Sequence, residues 1–242
     1  MKEVEDDSLK QDLQHILSVA NYLIGGMLEV ARQKNKNFEL RGSPKRLSAR
    51  TANTIIAFSQ NFVQGMWYED HDDLMQLPHV DNERAKNFKK RYNAVSFEQY
   101  CRLTTNERRA MELYDDPQEF EDCERIIKRL PIIDVTCTFE EDVIVGDPIT
   151  VKVQITHLNF DEEEQSLGFV HSNRFPYRKR SSWYIVLSDA DDNKLYSMEK
   201  HDILEKVHVI DLKSTRTELG IFEFHLHLKN DSYRGLDKMQ SI

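Results

Sequence analysis

Cysteine, glycine and proline are scarce in this chain of 242 residues, and no long apolar run is present. It contains three cysteines (Cys101, Cys123 and Cys137), eight glycines and six prolines. The cysteines are widely spaced and form no C-x-x-C pair, so nothing indicates a disulfide framework or a cysteine-based zinc site. No segment approaches the roughly 18–20 apolar residues that span a bilayer, and the acidic start MKEVEDDSLK differs from a signal peptide. We therefore expect a soluble chain in a reducing compartment, or a soluble piece of an anchored protein.

The motifs of common enzyme classes are also missing. There is no glycine-rich phosphate loop, no G-x-S-x-G nucleophile elbow and no H-E-x-x-H metal motif. Serine, histidine and acidic residues are present, but their spacing does not bring a nucleophile and a base together. The sequence therefore predicts no catalytic residue, no cofactor and no small-molecule substrate, and we expect the chain not to be an enzyme.

One pair of histidines has a spacing that is compatible with metal binding. His225 and His227 form an H-x-H on a predicted strand, which places both rings on one face of that strand. His171, His201 and His208 are available in principle to complete a site. Solvent-facing strand positions explain the pair more simply, because the residues that alternate with it are phenylalanine and leucine. The acidic runs EDHDD and DEEE lack the glycine and ligand spacing of a calcium loop, so we expect no metal.

The net charge of −9 argues against a surface dominated by nucleic-acid contacts, because phosphate binding needs clustered lysine and arginine. Two local basic runs are present, RAKNFKKR at 84–91 and RFPYRKR at 174–180. The first run follows the hairpin LPHVD, which has no glycine and places Asp81 at a helix start, where its charge repels phosphate. A structural role is thus favoured for this hairpin, and nucleic-acid binding stays open as the alternative.

Hydrophobic periodicity in residues 1–68 predicts a helical bundle. Apolar residues recur at spacings of three and four along one face from Leu13 to Ala31, and a second helix is predicted over 48–66. Residues 34–44 interrupt the pattern between the two helices. The pair Gly25-Gly26 inside the first helix indicates a close approach by another helix.

Residues 69–131 are predicted to form short helices that are joined by tight turns. Capping residues precede three of them at Asp81 or Asn82, at Ser96, and at Thr104 or Thr105. A further helix is predicted from Pro117 to Pro131. Because LPHV leads into one of these helices, we expect a helix-hairpin-helix module.

Residues 132–242 have the period of two that β-strands show. Five segments alternate apolar and polar residues, over 132–142, 148–158, 181–198, 206–213 and 220–231. Turn residues separate them, which predicts a β-sandwich of the immunoglobulin or fibronectin type III kind. The absence of a cysteine pair favours the fibronectin-like variant. The expected fold class is multi-domain, helical at the N-terminus and all-β at the C-terminus.

These three regions resemble one known domain in their order and in several motifs. LMQLPHVDNERAKNF looks like the LLQLPH hairpin of the domain shared by two groups of proteins. One is the Sec-sixty-three protein, the J-domain subunit of the endoplasmic-reticulum translocon, and the other is the Ski2-like helicases of the spliceosome. Further similar motifs are NFVQGMW, VIVGDPITVKVQIT, FPYRKRSSWYIVLSDADDNKLYSM and NDSYRGLD. The resemblance covers nearly the whole chain and implies a helical bundle, a helix-hairpin-helix module and a fibronectin-like sandwich.

Between the two groups, the sequence resembles the translocation protein more closely. NDSYRGLD is similar to its turn S-Y-x-G-L-D, whereas the helicases more often have Y-x-G-C-D. The resemblance therefore implies a non-catalytic cytosolic scaffold that supports post-translational protein import, although no J-domain triplet is present. The alternative is a C-terminal regulatory cassette of a Ski2-like RNA helicase that binds RNA or partner proteins.

The favoured resemblance also implies partners and a location. We expect the fragment to bind Sec translocon channel subunits and other Sec-complex proteins from the cytosolic side of the endoplasmic reticulum membrane, with no insertion of its own. Cytosolic channel loops tend to be basic, so acidic residues are expected contacts, and aromatic and arginine residues dominate binding hot spots. The expected contact residues are Glu140, Glu141, Asp142, Phe175, Tyr177 and Arg178. Trp183 is expected in the core.

The C-terminal stretch NDSYRGLDKMQSI follows the last predicted strand. We expect Tyr233 to cover the end of the core and Gly235 to permit the turn. The final strand of the resembling domain is expected to be absent here or reduced to the last few residues. This would leave one sheet edge without its closing strand and would fit a trimmed fragment.

Overall fold

The computed structural model describes residues 6–41, 47–67, 70–139, 144, 146–160, 169–215 and 220–242, with the backbone alone for 34–41 and 215. Helices precede two antiparallel sheets in an α+β arrangement. The α-helices are α1 (Asp7–Arg41), α2 (Ala49–Gln64), α3 (Asn82–Arg91), α4 (Phe97–Arg102), α5 (Thr105–Ala110) and α6 (Pro117–Ile127), and a short 3₁₀ helix spans Asp73–Gln76. The strands are β1 (Ile133–Phe139), β2 (Pro148–His157), β3 (Trp183–Asp189), β4 (Leu195–His201), β5 (Val207–Thr215), β6 (Phe224–Asn230) and β7 (Lys238–Ser241).

The first helix is longer than the sequence pattern predicts. α1 continues through 34–41, where the apolar spacing is interrupted. Helix propensity explains the difference, because this segment carries good helix formers such as Glu39, Leu40 and Arg41. The two residues that disfavour a helix, Gly42 and Pro44, come only after it.

The glycine pair in α1 does not mark a helix contact. A Cβ atom built on Gly25 or Gly26 meets no described atom within 4 Å, and both residues are exposed. The predicted close approach is therefore wrong, because this side of α1 points away from α2 and the sheet.

The ends of α2 follow from local backbone chemistry. The Ser48 side chain caps the N-terminus by accepting a hydrogen bond from the Arg50 backbone N–H at 3.2 Å. Gly65 ends the helix with a left-handed φ of 60°, which glycine adopts without strain. A Cβ atom at Gly65 would lie 2.9 Å from the Arg174 side chain, so the 170s segment packs directly on this cap.

The middle helices begin at the capping residues that the sequence indicates. Asp81 caps α3 by accepting from the Arg84 backbone N–H at 2.8 Å. Ser96 and Thr104 form capping boxes with Gln99 and Glu107 at the starts of α4 and α5. These predictions are confirmed because each depends only on residues within one helical turn.

The strands form a three-stranded sheet in the order β1-β2-β5 and a four-stranded sheet in the order β4-β3-β6-β7. The segment predicted over 181–198 forms two strands, β3 and β4, and the turn between them contains the turn-type residues Asp191-Asp192-Asn193 that the sequence indicates. Of the two outcomes expected at the C-terminus, the reduced strand is the one present. β7 is four residues long and pairs with β6, so this edge of β6 is covered.

Two apolar clusters hold these elements together. The larger one joins the inner faces of both sheets to the middle helices, and it contains Trp183, which is 1% exposed, in agreement with the expected core position. The smaller one lies on the outer face of the four-stranded sheet, where Ile24 and Leu28 of α1 meet Ile56 of α2 and Val186 of β3. Helices α1 and α2 therefore cover the sheet on that side.

A set of buried hydrogen bonds fixes α2 against the turn at 230–237. Ser59 donates to the Asp231 carbonyl at 2.8 Å, Gln60 to the Asn230 carbonyl at 2.7 Å, and Gln64 to the Ser232 carbonyl at 2.8 Å. These bonds give hydrogen-bond donors to three buried backbone carbonyls at the end of β6 and in the turn that follows it. Tyr233, at the same turn, is buried, and its hydroxyl accepts from the His171 backbone N–H at 2.7 Å. The turn thus has the expected core-covering tyrosine and also positions α2.

Candidate docking surface

Helix α1 exposes an apolar stripe along most of its length. The stripe consists of a half-buried alanine, Ala20, and six exposed residues, Leu9, Leu13, Ile16, Leu23, Met27 and Val30. Its members follow one another at intervals of four and three residues, which is the heptad spacing of a helix that packs lengthwise on a partner. Ile16 is 58% exposed and Leu23 is 63% exposed, and Val30 is similar. Large apolar side chains so exposed in one line are unusual on a surface that meets only water.

The buried face of α1 lies beside this stripe on the helix circumference. Ile24, Leu28 and Ala31 are at most 4% exposed, because they contact α2 and the sheet. The sequence pattern treated these residues and the stripe as one apolar face. That face is too wide for a single neighbour, and the structure divides it into a buried half and an exposed half. The width of the apolar face in the sequence is thus the signal that could have predicted an exposed stripe beside the buried residues.

A ladder of four aromatic rings runs from α2 to the N-terminal half of α1. It consists of Phe58 and Phe62 of α2 followed by Phe175 and Tyr177 of the 169–182 segment. Successive ring centroids lie 6.5, 6.0 and 5.6 Å apart, at the tilted or edge-on angles that aromatic rings prefer. At its end, the Tyr177 hydroxyl donates to the Gln14 carbonyl of α1 at 2.7 Å. The ladder therefore links the N-terminal half of α1 to the rest of the chain.

The predicted contact residues occupy different environments. Phe175 is half-buried in the ladder, and Tyr177 remains 40% exposed beside α1. The Arg178 guanidinium lies 4.3 Å from the centre of the Phe169 ring, in a cation–π contact. The acidic group Glu140, Glu141 and Asp142 lies outside the described residues. A partner-binding role for all six residues stays a prediction.

The basic run at 174–180 is used mainly inside the chain. Arg174 donates to the Gly65 carbonyl at 2.6 Å. Lys179 is partly buried and donates to the Asp231 carboxylate at 2.6 Å and to the Ser232 hydroxyl at 2.8 Å. Burial lowers the pKa of Lys179, although Asp231 acts in the opposite direction. Arg174 thus ties the 169–182 segment to the end of α2, and Lys179 ties it to the turn at 230–237.

The second basic run is also tied into ion pairs. Arg84 contacts Glu119 at 2.7 Å, and Lys89 contacts Asp72 at 2.5 Å. The hairpin before α3 is held by the Tyr114 hydroxyl, which donates to the Pro78 carbonyl at 2.9 Å. This contact fixes the hairpin against the middle helices, and a purely structural role for the hairpin stays a prediction.

The histidine pair of β6 is not directed at solvent, contrary to the favoured interpretation of the sequence. The side chains of His225 and His227 are 16% and 9% exposed. They lie on the outer face of the four-stranded sheet beneath the β3–β4 turn, and His227 Nε2 is 2.8 Å from a carboxylate oxygen of Asp192. The sequence did not indicate this acidic neighbour, because the turn approaches β6 only in the folded sheet.

The fold and the stripe together define an α+β domain that presents an exposed apolar helix face beside its two antiparallel sheets. Comparison with known families identifies this domain: the chain matches the Sec63 Brl domain over residues 2–242 and belongs to that family. No described helix has the length and apolar character that a membrane crossing requires.

The curated relatives are RNA helicases and ribonucleoprotein components. The human U5 small nuclear ribonucleoprotein 200 kDa helicase is 28% identical over 233 residues, covering 95% of this chain and 10% of the relative. The Arabidopsis thaliana DExH-box ATP-dependent RNA helicase DExH12 is 30% identical over 189 residues, covering 76% of this chain and 8% of the relative. The Drosophila melanogaster U5 helicase is 26% identical over 230 residues, covering 95% of this chain and 10% of the relative. The chain thus spans about a tenth of the length of these relatives.

These relatives overturn the favoured choice between the two resembling groups. The assignments to a translocon subunit, to Sec channel partners and to the endoplasmic reticulum membrane are wrong, because the matched relatives are named as RNA helicases and a U5 small nuclear ribonucleoprotein helicase. The relatives also contradict the expectation that nucleic acid is an unlikely partner, since they are named as RNA helicases. Leu236 explains the error at NDSYRGLD, since it is 1% exposed in the core, where leucine and cysteine are both acceptable apolar residues.

Proposed function

We propose that this chain is a non-catalytic docking cassette of a Ski2-like RNA helicase. The observation that carries the proposal is the exposed heptad stripe of α1. Its occupant is the remainder of the same polypeptide, because the relatives are about ten times longer than the matched region. The cassette would position or regulate the helicase modules, which supply the ATP-dependent activity on RNA.

The stripe is suited to a packed helix or an apolar groove. Fully burying a leucine or isoleucine side chain contributes about 1.5–3 kcal/mol, so a few stripe residues suffice for specific docking. Tyr177 and Phe175 act with the stripe by holding α1 at a fixed angle to α2, and Arg178 lies at the border of the same segment. A preformed helix also loses little conformational entropy on docking.

We also propose a type for the pair of sheets and a division of the helices into two units. The strand sets β1-β2-β5 and β4-β3-β6-β7 support a fibronectin type III sandwich, because β4 lies beside β3 and not in the first sheet as in constant immunoglobulin domains. We assign the helices to a bundle at 1–68 and a helix-hairpin-helix module at 69–131, with the sandwich at 132–242.

An immunoblot tests whether the occupant is part of the same polypeptide. Antibodies raised against this 28.6 kDa chain should detect a protein about ten times as large in extracts of the source cells, given the share of the relatives that it covers. A band at the mass of the chain alone would contradict docking within one polypeptide.

A binding experiment tests the surface itself. The remainder of the polypeptide, expressed without residues 1–242, should form a complex with this chain on size-exclusion chromatography. Leu23→Glu should weaken that complex by at least about tenfold, the equivalent of about 1.4 kcal/mol. Gln11→Glu is the matched control, because it adds the same charge at an exposed position of α1 outside the stripe.

Two outcomes would contradict the proposal. One is equal binding by the Leu23→Glu and Gln11→Glu variants, which would place docking elsewhere. The other is a salt-dependent shift of labelled single-stranded RNA by the isolated chain with no binding to the helicase remainder, which would assign the surface to nucleic acid.

A further inference from the structure

Three side chains with metal-binding atoms meet on the outer face of the four-stranded sheet. His225 and His227 come from β6, and Asp192 comes from the turn between β3 and β4. His225 Nδ1, His227 Nε2 and a carboxylate oxygen of Asp192 all lie within 4.8 Å of one another. This is the only such group of three among the described residues, and it is separate from the docking surface of α1.

The distances are close to those that a metal ion requires. The Asp192 carboxylate oxygen Oδ1 lies 2.8 Å from His227 Nε2 and 3.8 Å from His225 Nδ1. A tetrahedral ion with bonds of about 2.0–2.2 Å places its ligand atoms about 3.3–3.6 Å apart. The Asp192–His227 distance must lengthen by about half an ångström and the Asp192–His225 distance must shorten by a few tenths, which side-chain rotation allows. The two ring nitrogens lie within 4.8 Å of each other.

Asp192 is held in place by contacts that leave its carboxylate directed at the histidines. Its backbone has a left-handed φ of 56°, and its carbonyl accepts from the Arg50 N–H at 3.0 Å and the Ser48 hydroxyl at 2.9 Å. The Ser188 hydroxyl donates to its carboxylate at 2.6 Å. Hydrogen bonds of this kind orient metal ligands from outside the coordination shell.

One ring nitrogen of the group has no hydrogen-bond partner among the described residues. His225 Nδ1 is buried, and the Asp192 carboxylate oxygen lies 3.8 Å from it, beyond hydrogen-bond distance. A buried polar atom without a partner is costly, and a metal ion would satisfy it. The other close histidine pair differs in this respect, because His208 Nε2 lies 3.3 Å from His201 Nδ1 and the two rings bond to each other.

The donor set suits a divalent transition-metal ion. Two imidazoles and one carboxylate form a set of ligands typical of zinc and neighbouring transition metals.

We propose that Asp192, His225 and His227 bind a divalent transition-metal ion of the zinc class, with water completing the coordination. The ion would join the β3–β4 turn to β6. Because the Asp192 carbonyl also accepts hydrogen bonds from the start of α2, the same ion would fix that helix end to the sheet.

Titration calorimetry of the chelator-treated chain with zinc sulfate tests this site. One equivalent of zinc should bind, and His225→Gln and Asp192→Asn should each weaken the affinity by at least about tenfold. Asparagine tolerates the left-handed backbone at 192, and His225 donates no side-chain hydrogen bond among the described residues, so both variants should keep the fold and its metal-free melting temperature. His201→Gln, which removes a histidine from the other pair, should leave zinc binding unchanged.

Cobalt provides an independent readout. The chain with one equivalent of Co²⁺ should show the visible absorption of a low-symmetry four-coordinate ion, and His225→Gln should abolish it. The proposal is overturned if the folded chain binds no zinc, if His225→Gln and Asp192→Asn bind zinc as tightly as the original chain, or if His201→Gln causes the same loss.

Discussion

The buried ion pair between Arg108 and Glu124 offers a sharp test of what holds the middle helices together. The two side chains are only 7% and 12% exposed. Arg108 Nε and Nη2 donate to the two carboxylate oxygens at 2.5 and 2.7 Å, in a bidentate pair between α5 and α6. The remaining guanidinium nitrogen, Nη1, donates to the carbonyls of Cys101 and Leu103 at the end of α4. One side chain therefore joins three helices.

Arg108→Met keeps the length and apolar stem of the side chain but leaves Glu124 buried without its cation. Removing one member of a buried pair costs about 3–5 kcal/mol. A stability change of about 1 kcal/mol moves the melting temperature of a chain of this size by roughly 2–4 °C, so calorimetry should show a decrease of roughly 10 °C. Arg91→Met is the matched control, because Arg91 and its partner Glu112 are 59% and 67% exposed, and its effect should stay below about 1 kcal/mol.

The protonation of Glu124 gives the same prediction a second readout. Burial alone would raise the pKa of Glu124, but hydrogen bonds from Arg108 and Thr105 hold it below its ordinary value. In the Arg108→Met variant burial prevails and the pKa rises, so the loss of stability should shrink as the pH falls and the carboxyl becomes neutral. Equal melting temperatures for Arg108→Met and Arg91→Met, or a loss independent of pH, would refute this reasoning.

Two further predictions concern buried histidines and backbone strain. Burial lowers the pKa of His157 and His171 below the ordinary 6.5. As the pH drops, the histidines of the unfolded chain therefore take up protons before those of the folded chain, and the free energy of unfolding should fall below pH 6.5. In denaturant titrations, the free energy of unfolding of His157→Gln should depend less on pH than that of the original chain. An unchanged pH dependence would contradict this prediction. Gly65→Ala should lower the melting temperature, because φ is 60° and the new Cβ would meet a neighbouring side chain at 2.9 Å. Gly25→Ala, in open space within α1, should stabilise by about 0.5–1 kcal/mol, and the reverse order would contradict the structure.

Local chemistry made much of the fold predictable. Asp81, Ser96 and Thr104 cap helices within a single turn, so their roles do not depend on the rest of the molecule. The change from a period of three and four to a period of two likewise located the start of β1 near residue 132. Both kinds of signal come from residues that are close in sequence.

Features that depend on contacts distant in sequence were predicted less well. The division of α1 into a buried and an exposed half depends on where α2 and the sheet lie. His225 and His227 were expected to face solvent, because the approach of Asp192 from the β3–β4 turn is set by strand pairing. Leu236 did not distinguish the translocation protein from the helicases, since a buried turn position accepts several apolar residues.

Hydrogen exchange of α1 tests the central claim most directly. The amides of residues 9–30 should exchange more slowly in the intact polypeptide, purified from source cells, than in the isolated chain, because docking of the stripe suppresses local opening of the helix. The amides of β3, which is central in its sheet, serve as the internal control and should be equally protected in both samples. Equal exchange of α1 in the two samples would contradict the assignment of this chain as a docking cassette.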